Sequence, residues 1–326
     1  MLGLNKGLKT IKLNQMRKEI SYQSFVRFAF ITLFFVFVTV DSNLLMAQDS
    51  TAVAQPAPVA KKKSYVKNTF DGNYIIDNQS VMVPIKGTFE FDIQHRFGTM
   101  DHSFKDLFGL FASANMLLGF SYVPVKDLQL GFGATNDRMQ VNGNLKYAIM
   151  RQTTNNSVPV SVTLFANTVM DTRAKSTSLP IVNTSDRFSY FTQLIFARKI
   201  NNKFSVQVAP SLSYFNNLEG YLVDSKTLAN KLEHAHFAIA FSGKYQLTES
   251  MSFIVNYDQP LTQHPMDNPN PNISFGLDMK TSGHDFQFFV GNYGSILPQN
   301  NNLYNHNDFT KGQFLIGFNI SRLWNF

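Results

Sequence analysis

The chain is 326 residues long, with a formal net charge of +7, 44% hydrophobic residues, 32 phenylalanines and no cysteine. Only 16% of its residues are charged, against about 25% in soluble domains, so its surface is short of ions. The lack of cysteine excludes disulfides, thiolate metal sites, a cysteine nucleophile and an acylated-cysteine anchor.

Phe28 to Val40 form an apolar run that follows Arg17, Lys18 and Arg27 and precedes Asp41, Ser42 and Asn43. The run is too short for a spanning helix, which needs about 20 apolar residues. A basic flank, a short apolar core and Leu45-Met46-Ala47 before Gln48 predict a signal peptide over 1–47, cleaved after Ala47. A start at Met16 would give that leader an ordinary length. Its removal takes away Lys6, Lys9, Lys12, Arg17, Lys18, Arg27, Glu19 and Asp41 and lowers the net charge to +3. A nucleic-acid surface needs clustered basic residues. The one run, Lys61 to Lys63, sits in a Pro/Ala-rich stretch that predicts a solvated linker, so no nucleic-acid partner is expected. Residues 48–86 are expected to form a periplasmic linker, with Thr69 to Val83 either tucked into a lumen or capping its inner mouth.

From Gly87 to Phe326 apolar residues recur at every second position, the strand period. In GTFEFDIQHRF, Phe89, Phe91, Ile93, His95 and Phe97 share one face, and Thr88, Glu90, Asp92, Gln94 and Arg96 the other. Further strands are predicted over Met116–Tyr122, Leu128–Ala134, Met139–Tyr147, Val158–Leu164 and Phe188–Phe196. The series continues over Phe204–Tyr214, Phe237–Tyr245, Met251–Tyr257, Ile273–Met279, Phe286–Val290 and Phe314–Trp324, about twelve strands in all. Their second faces carry Ser, Thr, Asn, Gln and Gly, as in Gln140, Asn142, Asn144 and Lys146. A soluble sandwich would place Lys and Glu there; this face reads as the wall of an enclosed lumen. No convincing amphipathic helix interrupts the series, which argues against crossover α/β folds.

The connections support the same reading. With the N-terminus on the periplasmic side, all the long links fall on the opposite side, and Thr135–Arg138 is the sole short outer loop. Short inner turns, long outer loops and an even strand number are the layout of outer-membrane barrels. On the apolar face, Tyr122, Tyr147, Phe204, Tyr245 and Trp324 stand at inner strand ends, and Phe97, Tyr190, Tyr214 and Tyr257 at outer ends. Amphipathic rings gather where hydrocarbon meets headgroups, so two girdles in contact with outer-membrane lipid are expected. The last strand, alternating to the terminal Phe326, looks like the C-terminal signal read by barrel-insertion machinery. The fold class is therefore an all-β, transmembrane, antiparallel up-and-down barrel.

The string TFDGNYIIDNQS, PIKGTFEFDIQHRFG, ANMLLGFSYVPVKDLQLGFG and NGNLKYAIMRQ between Thr69 and about Thr153 resembles an uncharacterised family of membrane-bound β-barrels of Gram-negative outer membranes. The resemblance implies an outer-membrane barrel and carries no activity with it. His95, Arg96, Phe97 and Gly98 are marks of that resemblance and not assigned sites.

Barrel hydrolases use a Ser-His pair, often as His-x-Ser on one face. None of His95, His102, His234, His236, His264, His284 or His306 has Ser two positions later, so no enzyme is expected, and His95 reads as a girdle residue. Glu233, His234 and His236 place two imidazoles on one strand face, a spacing compatible with a transition metal, though loops are polar anyway. Gly131-Phe132-Gly133 lies mid-strand with no helix after it and is no phosphate loop; these glycines ease curvature. No cofactor is implied by any residue. Glu90, Asp92, Lys146, Lys244, Asp278, Lys280 and Asp285 gather on the lumen face toward the inner half, with Arg96 higher. Their near-balanced signs fit a pore that screens small solutes and fit pairing across a narrow lumen. A small-solute channel is the leading expectation. A closed barrel acting as an interaction platform is the alternative, and handling of a lipid or hydrophobic ligand a third.

Overall fold

The computed structural model describes residues 64–175, 181–218, 220–222 and 228–325. The expected leader, cleavage after Ala47, most of the linker and the terminal Phe326 lie outside the described residues.

Twelve strands form the body: β1 (Thr88–Thr99), β2 (Asn115–Val125), β3 (Leu128–Thr135), β4 (Gln140–Met150), β5 (Ser161–Asp171) and β6 (Phe188–Lys199), then β7 (Phe204–Phe215), β8 (Ala235–Gln246), β9 (Met251–Pro260), β10 (Asn272–Lys280), β11 (His284–Gly291) and β12 (Leu315–Asn325). Each pairs antiparallel with its neighbour in sequence, and β12 pairs with β1 to close the ring. The expected barrel of twelve strands is the observed one. Closure leaves no open sheet edge, so every wall amide has a partner strand.

Side-chain parity divides the wall. In β1 the even positions Thr88 to Arg96 are enclosed while Phe89 to Phe97 face outward. Outside, Phe120 is 45% exposed, Phe132 56% and Phe237 55%, an apolar belt that in water would be an aggregation surface. Register aligns the aromatic ends: Tyr245 stands opposite Phe204, Tyr190 opposite Tyr214, and Trp324 opposite Phe89. His95 stacks on Phe318 with ring centroids 5.0 Å apart, in keeping with a girdle position.

The fifth strand is displaced from its expected place. It runs over Ser161–Asp171 instead of Val158–Leu164, because its outer half faces lipid with Ala166, Thr168 and Met170, a weak contrast to the enclosed Asn167 and Val169. Register shifts at Tyr122/Val125, Ala148/Met150 and Leu315/Gly317 bend the wall locally.

The core lies inside the ring and is not built from wall residues alone. Residues 69–83 run within the lumen and carry a two-residue hairpin, Tyr74–Ile75 with Asn78–Gln79. From the end of the barrel where β11 and β12 are joined, the 292–314 connection enters the lumen through a helix of about two turns, α1 (Pro298–Tyr304). Pro298 sits at its start, where a missing N–H costs nothing. Ile75, Ile76, Ser80, Gln299, Asn300 and Leu303 are all fully enclosed.

Candidate functional site

The site is the filled lumen, built from three parts. The first is an apolar seam. Phe70, Ile75, Ile76 and Val81 of the inserted segment pack with Phe165, Phe191, Ile195, Ala197, Ala209, Ala240, Ile254, Phe289 and Tyr293 of the wall and the 292–314 connection. These wall residues occupy the lumen parity, where polar residues were expected. They are apolar because they face a chain segment and not water.

The second part is a polar harness around the rest of the segment. Gln287 Nε2 donates to Tyr74 O (2.9 Å), and Ile76 N–H donates to Gln287 Oε1 (3.2 Å). Asn78 Nδ2 donates to both oxygens of Asp258 at 2.9 Å, and Val81 N–H to Gln207 Oε1 at 3.0 Å. Thr163 Oγ1 donates to Val81 O (2.8 Å), and Asn319 Nδ2 to Ile76 O. The segment thus has its backbone satisfied by lumen side chains, as any chain enclosed away from water must. Asp77 is met by the Tyr293 hydroxyl at 2.8 Å and by Asn301 of α1 at 3.3 Å, so the two insertions touch each other.

The third part is a charge latch at the end of the lumen near the turn between β8 and β9. Lys244 Nζ lies 3.1 Å and Lys280 Nζ 2.9 Å from the Asp71 carboxylate, which also accepts from Ser252 Oγ at 2.8 Å. The Asp71 and Lys244 side chains are almost completely enclosed, whereas Lys280 keeps contact with solvent.

Every expected lumen charge now has a position. Glu90 accepts from Asn73 Nδ2, Ser121 and Gln129, and Asp92 accepts from Ser321 at 2.6 Å. Lys146 donates to Asn73 O at 3.0 Å. Asp278 accepts from Gln287 at 2.9 Å, and Asp285 abuts Gly72, where a Cβ would have no room. Arg96, fully enclosed, donates to Asn319 Oδ1 at 2.8 Å and lies over the Phe289 ring, 4.6 Å from its centroid. Lys244, Lys280, Lys146, Glu90 and Asp285 contact the inserted segment. Lys280 also keeps contact with solvent and Lys146 also interacts with Glu90 and Asp92 of β1, so the two arrangements weighed from sequence hold in part, with the inserted segment as the shared partner. The sequence could not supply their partner, because nothing periodic marks residues 69–83.

The two metal candidates part company. The strand begins at Ala235, so His234 escapes its alternation: its Nδ1 meets Phe215 O at 2.5 Å and its ring stacks on Tyr214. His236 points into the lumen instead and pairs with His264 from the 261–271 loop. Among the described residues no group of three or more His, Cys, Asp or Glu is placed to hold a metal ion. The two rings stack with centroids 5.0 Å apart and are joined by a hydrogen bond. Glu233 N–H donates to His264 Nδ1 (2.9 Å), so His264 carries its proton on Nε2 and donates to His236 Nδ1 (2.8 Å).

Burial holds the His264 imidazole below its usual value of 6.5, with Glu233 opposing weakly. A histidine whose folded value is depressed contributes fully above about pH 6.5, its ordinary range, and loses that contribution as pH falls through the lowered folded value. Amide-exchange protection of residues 261–271 is therefore expected to drop on acidification. His264→Gln should remove the pH dependence; an unchanged profile in that variant would contradict the pairing.

With the geometry in place, comparison settles the family. The family model described as a membrane bound beta barrel domain (DUF5777) matches residues 70–324. The chain belongs to this family. The match begins at Phe70, so the inserted segment is part of the family domain along with the wall. No curated protein matches the chain. Among solved structures it is similar to an outer membrane channel from Pseudomonas putida F1, at 11% identity and TM-score 0.48, covering 74% of this chain and 97% of that one. It is similar also to the NanC porin (9% identity, TM-score 0.44, covering 73% and 99%) and to the KdgM porin (8%, 0.41, covering 73% and 99%).

Proposed function

We propose that this protein is a gated channel for small solutes in the outer membrane of a Gram-negative bacterium, with residues 69–83 as its gate and its N-terminus in the periplasm. The observation that carries this is the nature of the filling. Eight-stranded barrels are filled by their own wall side chains, and sixteen-stranded ones enclose water. Here twelve strands enclose a space filled by the 292–314 connection and by residues 69–83, which continue into the wall at Thr88 and are tied beyond their other end only by a bridge of Tyr65 to Thr153 and backbone hydrogen bonds at Ser64 and Val66. Such a segment can leave without breaking a strand pair. The wall it would expose beside β1 to β4 is polar and would hydrate. In this reading the chain performs no catalysis, lipid covers the outer belt, and the C-terminal strand addresses the insertion machinery.

Planar-bilayer recording of the full chain and of a variant lacking residues 69–83 tests the proposal. The full chain is expected to show brief, rare openings and the deletion variant steady current. A folded deletion variant that stays silent would overturn the channel.

A second reading, a closed barrel serving as a platform for a partner, draws on one observation. In the 100–112 connection Phe104 is 81% exposed and Phe111 79%, more than an isolated barrel needs. Under that reading the deletion variant conducts nothing.

A further inference from the structure

A cavity of about 40 Å³ lies between residues 74–79 and the inner wall of β2, β3 and β4, room for two or three waters. It exists because that wall is bare: Gly119, Gly131 and Gly133 all fall on the lumen parity. A Cβ added at Gly131 would stand 2.5 Å from Asn144 Oδ1, and one at Gly133 2.6 Å from Asn142 Oδ1. The β4 amides thus lie flat across the β3 glycines and surface the cavity.

The charged groups bordering this space are already occupied. Asp92 accepts from Ser321, Lys146 donates to Asn73 O, and Asp77 accepts from Tyr293. The open valences belong to neutral groups. Gln129 Oε1 and Asn142 Oδ1 are buried without a hydrogen-bond partner, in residues only 6% and 7% exposed. Native proteins rarely leave such acceptors unpaired, and two amide oxygens call for a ligand that brings O–H or N–H donors. A bare ion entering here would exchange its water for neutral amides and for charged groups that already have partners, at a large desolvation cost. An uncharged polyol exchanges its water hydrogen bonds for amide ones. Toward the outer end the cavity meets Leu117, Ile296 and Leu297, which pack with Val169, an apolar constriction of the kind that closes by excluding water.

We propose that, once residues 69–83 withdraw and widen it beyond its closed volume of about 40 Å³, this glycine-floored, amide-walled slot is the track for an uncharged, hydroxyl-rich solute of monosaccharide class, and that Leu117, Val169, Ile296 and Leu297 form its outer door. The inference rests on the channel reading and adds the solute class and the route to it.

The test uses the full chain in proteoliposomes, with swelling recorded in glucose, gluconate and glucosamine and ion current recorded in parallel. Glucose is expected to enter several times faster than either charged analogue. Asn142→Leu is expected to slow glucose about fivefold, the worth of one hydrogen bond, and so to lower the ratio of glucose flux to ion current measured on the same preparation. Leu297→Ser is expected to speed glucose entry. Gly133→Val, which fills the same slot from the neighbouring strand, repeats the loss should Asn142→Leu fail to fold. Equal entry of all three solutes, or glucose flux unmoved by both slot variants, overturns the slot as a water pocket only and leaves the gated channel standing. Absence of every flux, ion current included, even from the variant lacking residues 69–83, overturns both.

Discussion

Asp71→Asn is expected to open the barrel. The Asp71 carboxylate joins the inserted segment to Lys244 and Lys280 on β8 and β10 at 3.1 and 2.9 Å. Removing its charge takes from the enclosed Lys244 its ion-pair partner in direct contact and leaves only the more distant Asp278, and breaking one partner of a buried pair costs about 3–5 kcal/mol. The seated state carries that cost alone, because a withdrawn segment lets Lys244 hydrate. Open probability in a bilayer should therefore rise by at least about a hundredfold. Adding Lys244→Met to Asp71→Asn should restore much of the closure, since no unpaired charge is then buried. If Asp71→Asn records like the parent protein, the latch has no part in gating.

Strand faces, girdles and the split between short and long connections were legible because lipid and lumen impose opposite demands at alternate residues. Phe89 against Glu90, or Tyr245 against Lys244, states the wall's orientation outright. The fifth strand was legible only in part, since Ala166 and Thr168 mark lipid faintly.

The filling of the lumen was legible only in part: residues 69–83 were expected either tucked into it or capping its inner mouth, and neither the choice between these nor the entry of α1 could be read, for two physical reasons. Residues 69–83 take their order from side chains scattered over the whole ring, such as Gln207, Asp258 and Gln287, so no local period records them. Helix α1 buries Asn and Gln on several sides, which removes the amphipathic stripe that would announce a helix. A signal did exist. Phe165, Phe191, Ile195, Ile254 and Phe289 sit on the lumen parity, where an aqueous pore would carry polar groups, and apolar residues facing inward ask for an apolar occupant. The His236–His264 pair was hidden for another reason: His264 lies in the 261–271 loop, outside any alternating segment, and reaches His236 through the β8–β9 pairing, in which Ala238 stands opposite Pro260.

The most direct test of the central claim, that a seated chain segment closes a lumen able to conduct, uses a cysteine pair at Gly72 and Asp285. An ideal Cβ on Gly72 lies 3.9 Å from the Asp285 Cβ, within the range a disulfide spans. The parent chain contains no cysteine, so the engineered pair is the only thiol chemistry present. Single-channel recording of Gly72→Cys/Asp285→Cys should show a silent barrel when oxidised and recurrent openings once dithiothreitol is added, reversibly over cycles. Identical current in the oxidised and reduced states would contradict the gate.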